Sequence, residues 1–280
     1  MKIAFLQDFF DNELIGGAEQ NDAVLLEHMS VLGHHVVPVH TYMIAPVIEC
    51  YDFFIVSNFT RLPQDVKQYL IQKKNYIIYE HDHKYVKTRN PAAYEDFKAP
   101  PSHIINRDFY ANAKKVFVLS KICKEVIEKN LNIDNVVNIG CSLWSKKKLD
   151  ILRRTNSVEK THEYGILKSN NEIKGTKEAL NYCKNLKLDL NDVLAIASTD
   201  YEVFIKTLAS CEKFIFLPQV LETYSRVCAE AKMVNCKIIT TPKMLGFFSE
   251  DYSELSGIPL VDKIECQITS ALGMFEKVIC

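Results

Sequence analysis

The sequence predicts an α/β chain of two parallel-sheet domains, and three observations predict it. Strand-like and helix-like hydrophobic patterns alternate from Lys2 to Ile139, and a second alternating series runs from His162 to Thr241. Between them, Ser145 to Arg154 is basic and weakly patterned, as a crossing between domains would be. Alternation of this kind favours parallel strands with helices on both faces of the sheet. The 280 residues allow two domains of about 140 residues each, and an apolar content of 48% can fill a core in both.

In the first half the candidate strands are Lys2 to Leu6, His35 to Val39, Phe53 to Ser57, Tyr76 to Glu80, Lys115 to Leu119 and Val136 to Ile139. Ala18 to Leu32 reads as an amphipathic helix, with Ala23, Leu26, His28 and Leu32 unevenly divided between its faces. Pro63 to Lys73 follows, with proline suited to a first helical turn, and then Lys121 to Asn130. Asn90 to Pro101 is loop-rich, because Pro91, Pro100 and Pro101 interrupt regular structure. In the second half the strands are His162 to Leu167, Val193 to Ala197, Lys213 to Leu217 and Lys237 to Thr241, with helices near Lys174 to Asn185, Tyr201 to Ser210 and Tyr224 to Val234. The crossing itself has two readings. Lys146, Lys147, Lys148, Arg153 and Arg154 form either a solvated linker helix or a patch that attracts an anionic acceptor or lipid surface, which would bring peripheral membrane contact.

Four segments carry chemistry. In FLPQVLETYSRVCAEAKMVNCKIITTP, Glu222 and Glu230 stand eight residues apart around the start of a helix whose inner face is predicted at Val227, Ala231 and Val234. Over two helical turns both carboxylates can face one cleft from different heights. A carboxylate accepts paired hydrogen bonds from neighbouring hydroxyls, and the amides of a helix start favour a diphosphate, so this segment suits a sugar nucleotide. Gly16-Gly17-Ala18-Glu19 opens the first helix, where glycines let a ligand touch the main chain. It is not the dinucleotide fingerprint, since G-x-G-x-x-G is absent. Lys174-Gly175 follows YGILKSNNEI at a helix start and presents a point charge for phosphate. Glu80-His81-Asp82-His83 closes a strand, and on an extended chain His81 and His83 face one way and Asp82 the other. Those histidines read as part of a strand-end site, as a metal pair that needs further ligands, or as structural hydrogen-bonding groups.

Three of these segments, MKIAFLQDFF…GGAE with its helix and HHVVPVH, the Lys174-Gly175 pair, and the Glu222 to Glu230 run, resemble the retaining glycosyltransferases of the GT-B fold, in particular family 4. The resemblance implies two Rossmann-like domains with parallel sheets facing across a cleft. It divides the chain into an acceptor-side domain at 1–145, a nucleotide-sugar domain at 146–264, and a helix at 265–280 packing back on the first domain. It implies that Glu222 contacts sugar hydroxyls, that the backbone of Thr223, Tyr224 and Ser225 approaches the donor phosphates, and that Glu230 holds the ribose. Lys168 and Lys174 would neutralise the diphosphate, the Gly16-Gly17 loop would face the donor, and a histidine would contact the transferring sugar, His81 in preference to His83. His34 and His35 match a turn before a strand and read as structural. The chain departs from the family by having Thr223 and Ser225 where glycines are usual, and by lacking the arginine expected near Lys168.

The implied activity is hexosyl transfer, with retention, from a nucleotide diphosphate sugar to a glycan, lipid or small-molecule acceptor. The sugar nucleotide would be a co-substrate; no cofactor and no essential metal are implied. Two rivals use the same architecture: a sugar-nucleotide epimerase, and a catalytically silent module that binds nucleotide or glycan. A net charge of -1 gives no general electrostatic case for nucleic acid. The amino terminus has no signal-peptide pattern and no apolar run approaches the roughly 20 residues of a membrane span, so a cytoplasmic location is expected. Nine scattered cysteines without a C-x-x-C pair read as mostly reduced and buried.

Overall fold

The computed structural model describes residues 1–13 and 16–279, and the chain divides into two units, Met1–Trp144 with Gln267–Cys280 and Ser145–Cys266. The first unit is built on a six-stranded sheet of β1 (Lys2–Gln7), β2 (His35–His40), β3 (Phe53–Val56), β4 (Tyr76–Tyr79), β5 (Val116–Val118) and β6 (Val136–Asn138). All neighbours are parallel, in the order β2-β1-β3-β4-β5-β6. The central strands FFIV and YIIY are buried at every position, as strands covered on both faces must be. Pro38 sits in β2 opposite Phe5; lacking an N–H donor, it is tolerated because β2 is an edge. Helices α1 (Gly17–Val31), α2 (Gln64–Lys73), α3 (Arg107–Ala111) and α4 (Lys121–Leu131) connect these strands. The Ser120 side chain caps α4 by accepting from the Cys123 amide.

The inner face of α1 differs from the expected apolar stripe. Glu19, Asn21 and Asp22 are buried beside Leu25 and Met29, while Leu32 lies beyond the helix and is exposed. The start of this helix therefore delivers polar groups to the ends of the strands.

The second unit has a four-stranded parallel sheet of β7 (His162–Leu167), β8 (Val193–Ile196), β9 (Cys211–Ile215) and β10 (Lys237–Ile239), in the order β10-β9-β7-β8. Its helices are α5 (Lys146–Thr155), α6 (Thr176–Asn185), α7 (Tyr201–Ala209) and α8 (Arg226–Met233). The solvated-linker reading of α5 is corrected: Leu149, Ile151, Leu152 and Thr155 are buried and the helix packs on α7. Of its charges, Arg153 pairs with Asp262 at 2.9 Å and Glu265 at 2.5 Å, while Lys146 and Lys147 are exposed. A basic sequence concealed an amphipathic helix.

The final helix, α9 (Gly257–Ile279), starts earlier than the expected residue 265, and its residues from Gln267 onward belong to the first unit. There Phe275 is fully buried, with its ring 5.1 Å from that of Tyr79 and 4.1 Å from that of Phe117. Gln267 donates to the Ile139 carbonyl at 3.0 Å, and His28 meets Glu276 at 2.6 Å. Among the described residues no helix is long and apolar enough to cross a membrane.

Because Phe275 is the aromatic anchor of α9 on β4 and β5, Phe275→Ala should destabilise the first unit by about 3–5 kcal/mol, the usual cost of deleting a buried ring. Urea unfolding checks this, and a loss below about 1 kcal/mol would show that α9 is not held through this side chain.

Candidate active site

In the second unit the strand order reverses at β7, which has β9 on one side and β8 on the other. The connections after β7 and β9 therefore diverge and leave a crevice at the carboxyl ends of the strands, where α/β sheets bind ligands. Two loops build this place. After β7 comes Lys168, whose amide bonds the Ile196 carbonyl at 2.9 Å and whose side chain is exposed, and then a short 3₁₀ turn, Glu172–Lys174. After β9 comes the run from Pro218 to Ser225.

Gly175 lets the two loops touch. Its φ of 70° is left-handed, and a β-carbon there would fall on the carbonyl oxygen of Leu217, a backbone atom that cannot rotate away. Beside this contact the Gln219 amide donates to the Ile173 carbonyl at 2.8 Å. The next side chain back, Lys174, donates through Nζ to Oε1 of Glu222 at 2.8 Å. The two ends of that pair are 34% and 14% exposed, so it is screened on the lysine side and drier on the glutamate side. Glu222 is also fixed through its backbone, with its amide on the Met244 carbonyl and its carbonyl accepting from Gly246, each at 2.9 Å.

Four residues further on, α8 begins. Ser225 precedes it with φ 73° and ψ 77°, left-handed, although serine carries a β-carbon. The backbone here thus has the conformation that a glycine would adopt without strain. Thr223 is half-buried and Tyr224 buried, its hydroxyl 2.7 Å from that of Tyr252. Helix α8 starts at Arg226, two residues later than predicted, and Glu222 lies ahead of it, as expected. Glu230 lies in the second turn, buried, with the Tyr201 hydroxyl donating to Oε1 at 3.0 Å and Arg226 at 3.9 Å. Of the predicted inner face, Ala231 and Val234 are buried and Val227 is only half-buried; Cys228, Ala229, Glu230 and Met233 are buried beside them. Burial pushes the Cys228 thiol up to about 12, so it is an inert small apolar group between the two carboxylates.

In the first unit the order reverses at β1, between β2 and β3. The adjoining strand ends present Gln7, Asp8, Ser57, Glu80 and His81, and all of them are buried. Asp22 of α1 is the hub. Its carboxylate accepts from Ser57 at 2.6 Å, from His81 Nε2 at 3.0 Å and, with the Gln7 amide oriented to satisfy its neighbours, from that amide at 2.9 Å. Asp8 accepts from the Thr41 and Thr60 hydroxyls, from the Thr60 amide at 2.7 Å and from the Arg61 amide at 3.2 Å, tying three connections together. Gly16 precedes α1 at φ −119° and Gly17 is its exposed first residue. A β-carbon on Gly16 would collide with the Glu19 carboxylate, which burial, reinforced by the charge of Asp22, holds above its ordinary pKa.

The segment Glu80 to His83 is not extended, which corrects the expected alternation of its side chains. Glu80 accepts from the Asp82 amide at 2.7 Å, turning the chain immediately after β4, and His83 adopts a left-handed φ of 55°. His81 goes to Asp22 and His83 to the Tyr85 hydroxyl at 3.0 Å. Burial raises the Glu80 carboxyl, but the Lys84 ammonium at 3.0 Å, the Tyr110 hydroxyl and the Asp82 amide outweigh it and leave the group below its ordinary value. Among the described residues no three His, Cys, Asp or Glu side chains gather to hold a metal ion.

Asp22, Asp8, Tyr201 and Arg226 were not singled out from the sequence. The signal for Asp22 was present, because Glu19 and Asp22 are one turn apart on the face that α1 turns inward. Tyr201 and Glu230 are 29 residues apart, and nothing in their local sequence links them.

No family profile matches this sequence, and no curated protein matches it. Solved structures do match. Sucrose-phosphate synthase from Thermosynechococcus elongatus is 12% identical, with TM-score 0.63 over 98% of this chain and 97% of that chain. Anabaena Alr3699/HepE, in complex with UDP and glucose, is 13% identical, with TM-score 0.53 over 100% and 99%. An α-glucosyltransferase in complex with UDP and a 13-mer DNA containing an HMU base is 9% identical, with TM-score 0.53 over 98% and 94%. The likeness at these identities is one of fold: two Rossmann-like α/β units with parallel sheets, the GT-B class.

The loop contact and the helix start make opposite forecasts for glycine. Gly175→Ala combines left-handed strain with a backbone clash and should cost about 2–5 kcal/mol. Ser225→Gly removes about 1–2 kcal/mol of strain and adds about 0.5–1 kcal/mol of unfolded-state entropy, so stability should be unchanged or rise by up to about 1 kcal/mol. Chemical denaturation of the two variants checks both; a tolerated Gly175→Ala together with a damaging Ser225→Gly would refute this account of the loops.

Proposed function

We propose that this protein is a glycosyltransferase of the family 4 type, moving a hexosyl group with retention from a nucleotide diphosphate sugar to a glycan, lipid or small-molecule acceptor. The observation that carries the reading is the Lys174–Glu222 pair beside the start of α8, at the strand-order reversal of the second unit. A diphosphate suits that place because lysine supplies a point charge and a helix start supplies amides at the positive end of its dipole. Glu222, held at 2.8 Å by Lys174, is oriented to accept from sugar hydroxyls. Support also comes from one neighbour in fold, Anabaena Alr3699/HepE, which was solved with UDP and glucose and with UDP-glucose.

In this reading the second unit holds the donor. Lys174, Lys168 and the backbone of Thr223, Tyr224 and Ser225 take the diphosphate, Glu222 the sugar and Glu230 the ribose. Catalysis rests on orienting the donor and stabilising the charge that develops on the leaving diphosphate. The lysines and helix amides supply that stabilisation, so the reading requires no metal ion. In the first unit the reading gives the Gly16-Gly17 loop a donor-binding role and His81, bonded to Asp22, a catalytic one. One neighbour was solved with DNA; a net charge of -1 gives this chain no comparable electrostatic case.

A thermal-shift screen of sugar nucleotides, followed by mass spectrometry of products with candidate acceptors, tests the proposal. Stabilisation with transfer is expected. Conversion of donor without acceptor would identify an epimerase, stabilisation without any product a silent binding module, and no stabilisation by any sugar nucleotide would reject the reading. The roles separate further by calorimetry. Lys174→Ala should weaken UDP much more than uridine, and Glu222→Gln should weaken UDP-glucose by about 1–3 kcal/mol while leaving UDP nearly unchanged. Equal losses for both members of each pair would remove these residues from the diphosphate and sugar positions.

A further inference from the structure

The Glu230 carboxylate is held by side chains from two helices. The side chain is 6% exposed and forms an ion pair with the Arg226 guanidinium at 3.9 Å. The phenol of Tyr201 donates a hydrogen bond to Oε1 at 3.0 Å. Tyr201 is itself fixed from two directions. It is the first residue of α7, whose start is capped by the Asp200 carboxylate accepting from the Val203 amide at 2.9 Å. Its ring lies under the Lys148 ammonium of α5, 4.9 Å from the ring centroid. Since α7 packs on both α5 and α8, three helices of the second unit converge on this one side chain.

The chemistry of the donor matters. A phenol adds one directed hydrogen bond to the carboxylate without bringing a further charge beside the Arg226 guanidinium. An ionised, pre-oriented carboxylate is what a pair of vicinal hydroxyls needs, because both donate to it at once. We propose that Tyr201 is a positioning residue that orients Glu230 to read the 2′- and 3′-hydroxyls of a ribonucleotide. This rests on the donor reading given above, in which Glu230 meets the ribose.

The test is calorimetry with UDP and with 2′,3′-dideoxy-UDP on the parent, Tyr201→Phe and Glu230→Gln. Tyr201→Phe keeps the ring under Lys148 and removes only the hydroxyl, so folding should be retained. We expect it to weaken UDP about three- to tenfold, the net worth of one hydrogen bond, and to leave the dideoxy analogue within about twofold. Equal weakening of both ligands, or an unchanged UDP affinity in Tyr201→Phe, overturns the proposal. Glu230→Gln isolates the premise: if it leaves UDP unaffected, the ribose role itself fails, and if it weakens UDP while Tyr201→Phe does not, only the positioning role fails. A parent that binds no UDP, GDP or ADP removes both.

Discussion

The close approach of Gly175 to the Leu217 carbonyl is the constraint on which the second unit's functional end depends. Only a residue with no β-carbon and a left-handed backbone fits there. With the loops after β7 and β9 in contact, the neighbouring Lys174 reaches Glu222, and the chain is delivered to the start of α8 through Ser225. A bulkier residue at this point would part the loops and separate the lysine from the glutamate. One missing methyl group thus fixes where a positive charge, a carboxylate and a helix start meet.

Magnitudes separate what these charges do. The Lys174–Glu222 pair is partly exposed, and such pairs contribute about 0–1 kcal/mol to stability. It is therefore not a fold-holding contact, and the proposed function assigns it to the ligand instead. Glu80 and Lys84 are the opposite case, both 2% exposed, where separating the partners would strand a buried charge at a cost of about 3–5 kcal/mol. The depressed pKa of Glu80 has a definite sign: its contribution is present above the ordinary carboxylate value of 4.5 and is lost as pH falls through the lower folded value. That pair braces the turn after β4, and so the position of His81.

Much of the fold was legible because the dominant signals are local. FFIV and YIIY are short apolar runs bounded by polar residues, and they became the buried central strands. His162–Leu167 was placed to the residue. What escaped were features decided by partners distant in sequence or by side chains competing with the backbone. Glu80 turned an expected strand end by capturing the Asp82 amide, and a row of lysines in α5 hid the buried Leu149, Ile151 and Leu152. In the candidate site the lysine–glycine pair and both glutamates were recognisable as motifs. That Lys174 would bond Glu222, and Tyr201 bond Glu230, required residues 48 and 29 positions apart to be brought together.

The central claim is that the second unit binds a nucleoside diphosphate at the end of β7 and β9. A crystal structure of the protein soaked with UDP tests it most directly. The account predicts the diphosphate at the start of α8 with an oxygen about 3 Å from Lys174 Nζ, and the ribose hydroxyls on Glu230. A nucleotide seated on the first unit, or on the second with its diphosphate away from Lys174, would contradict it.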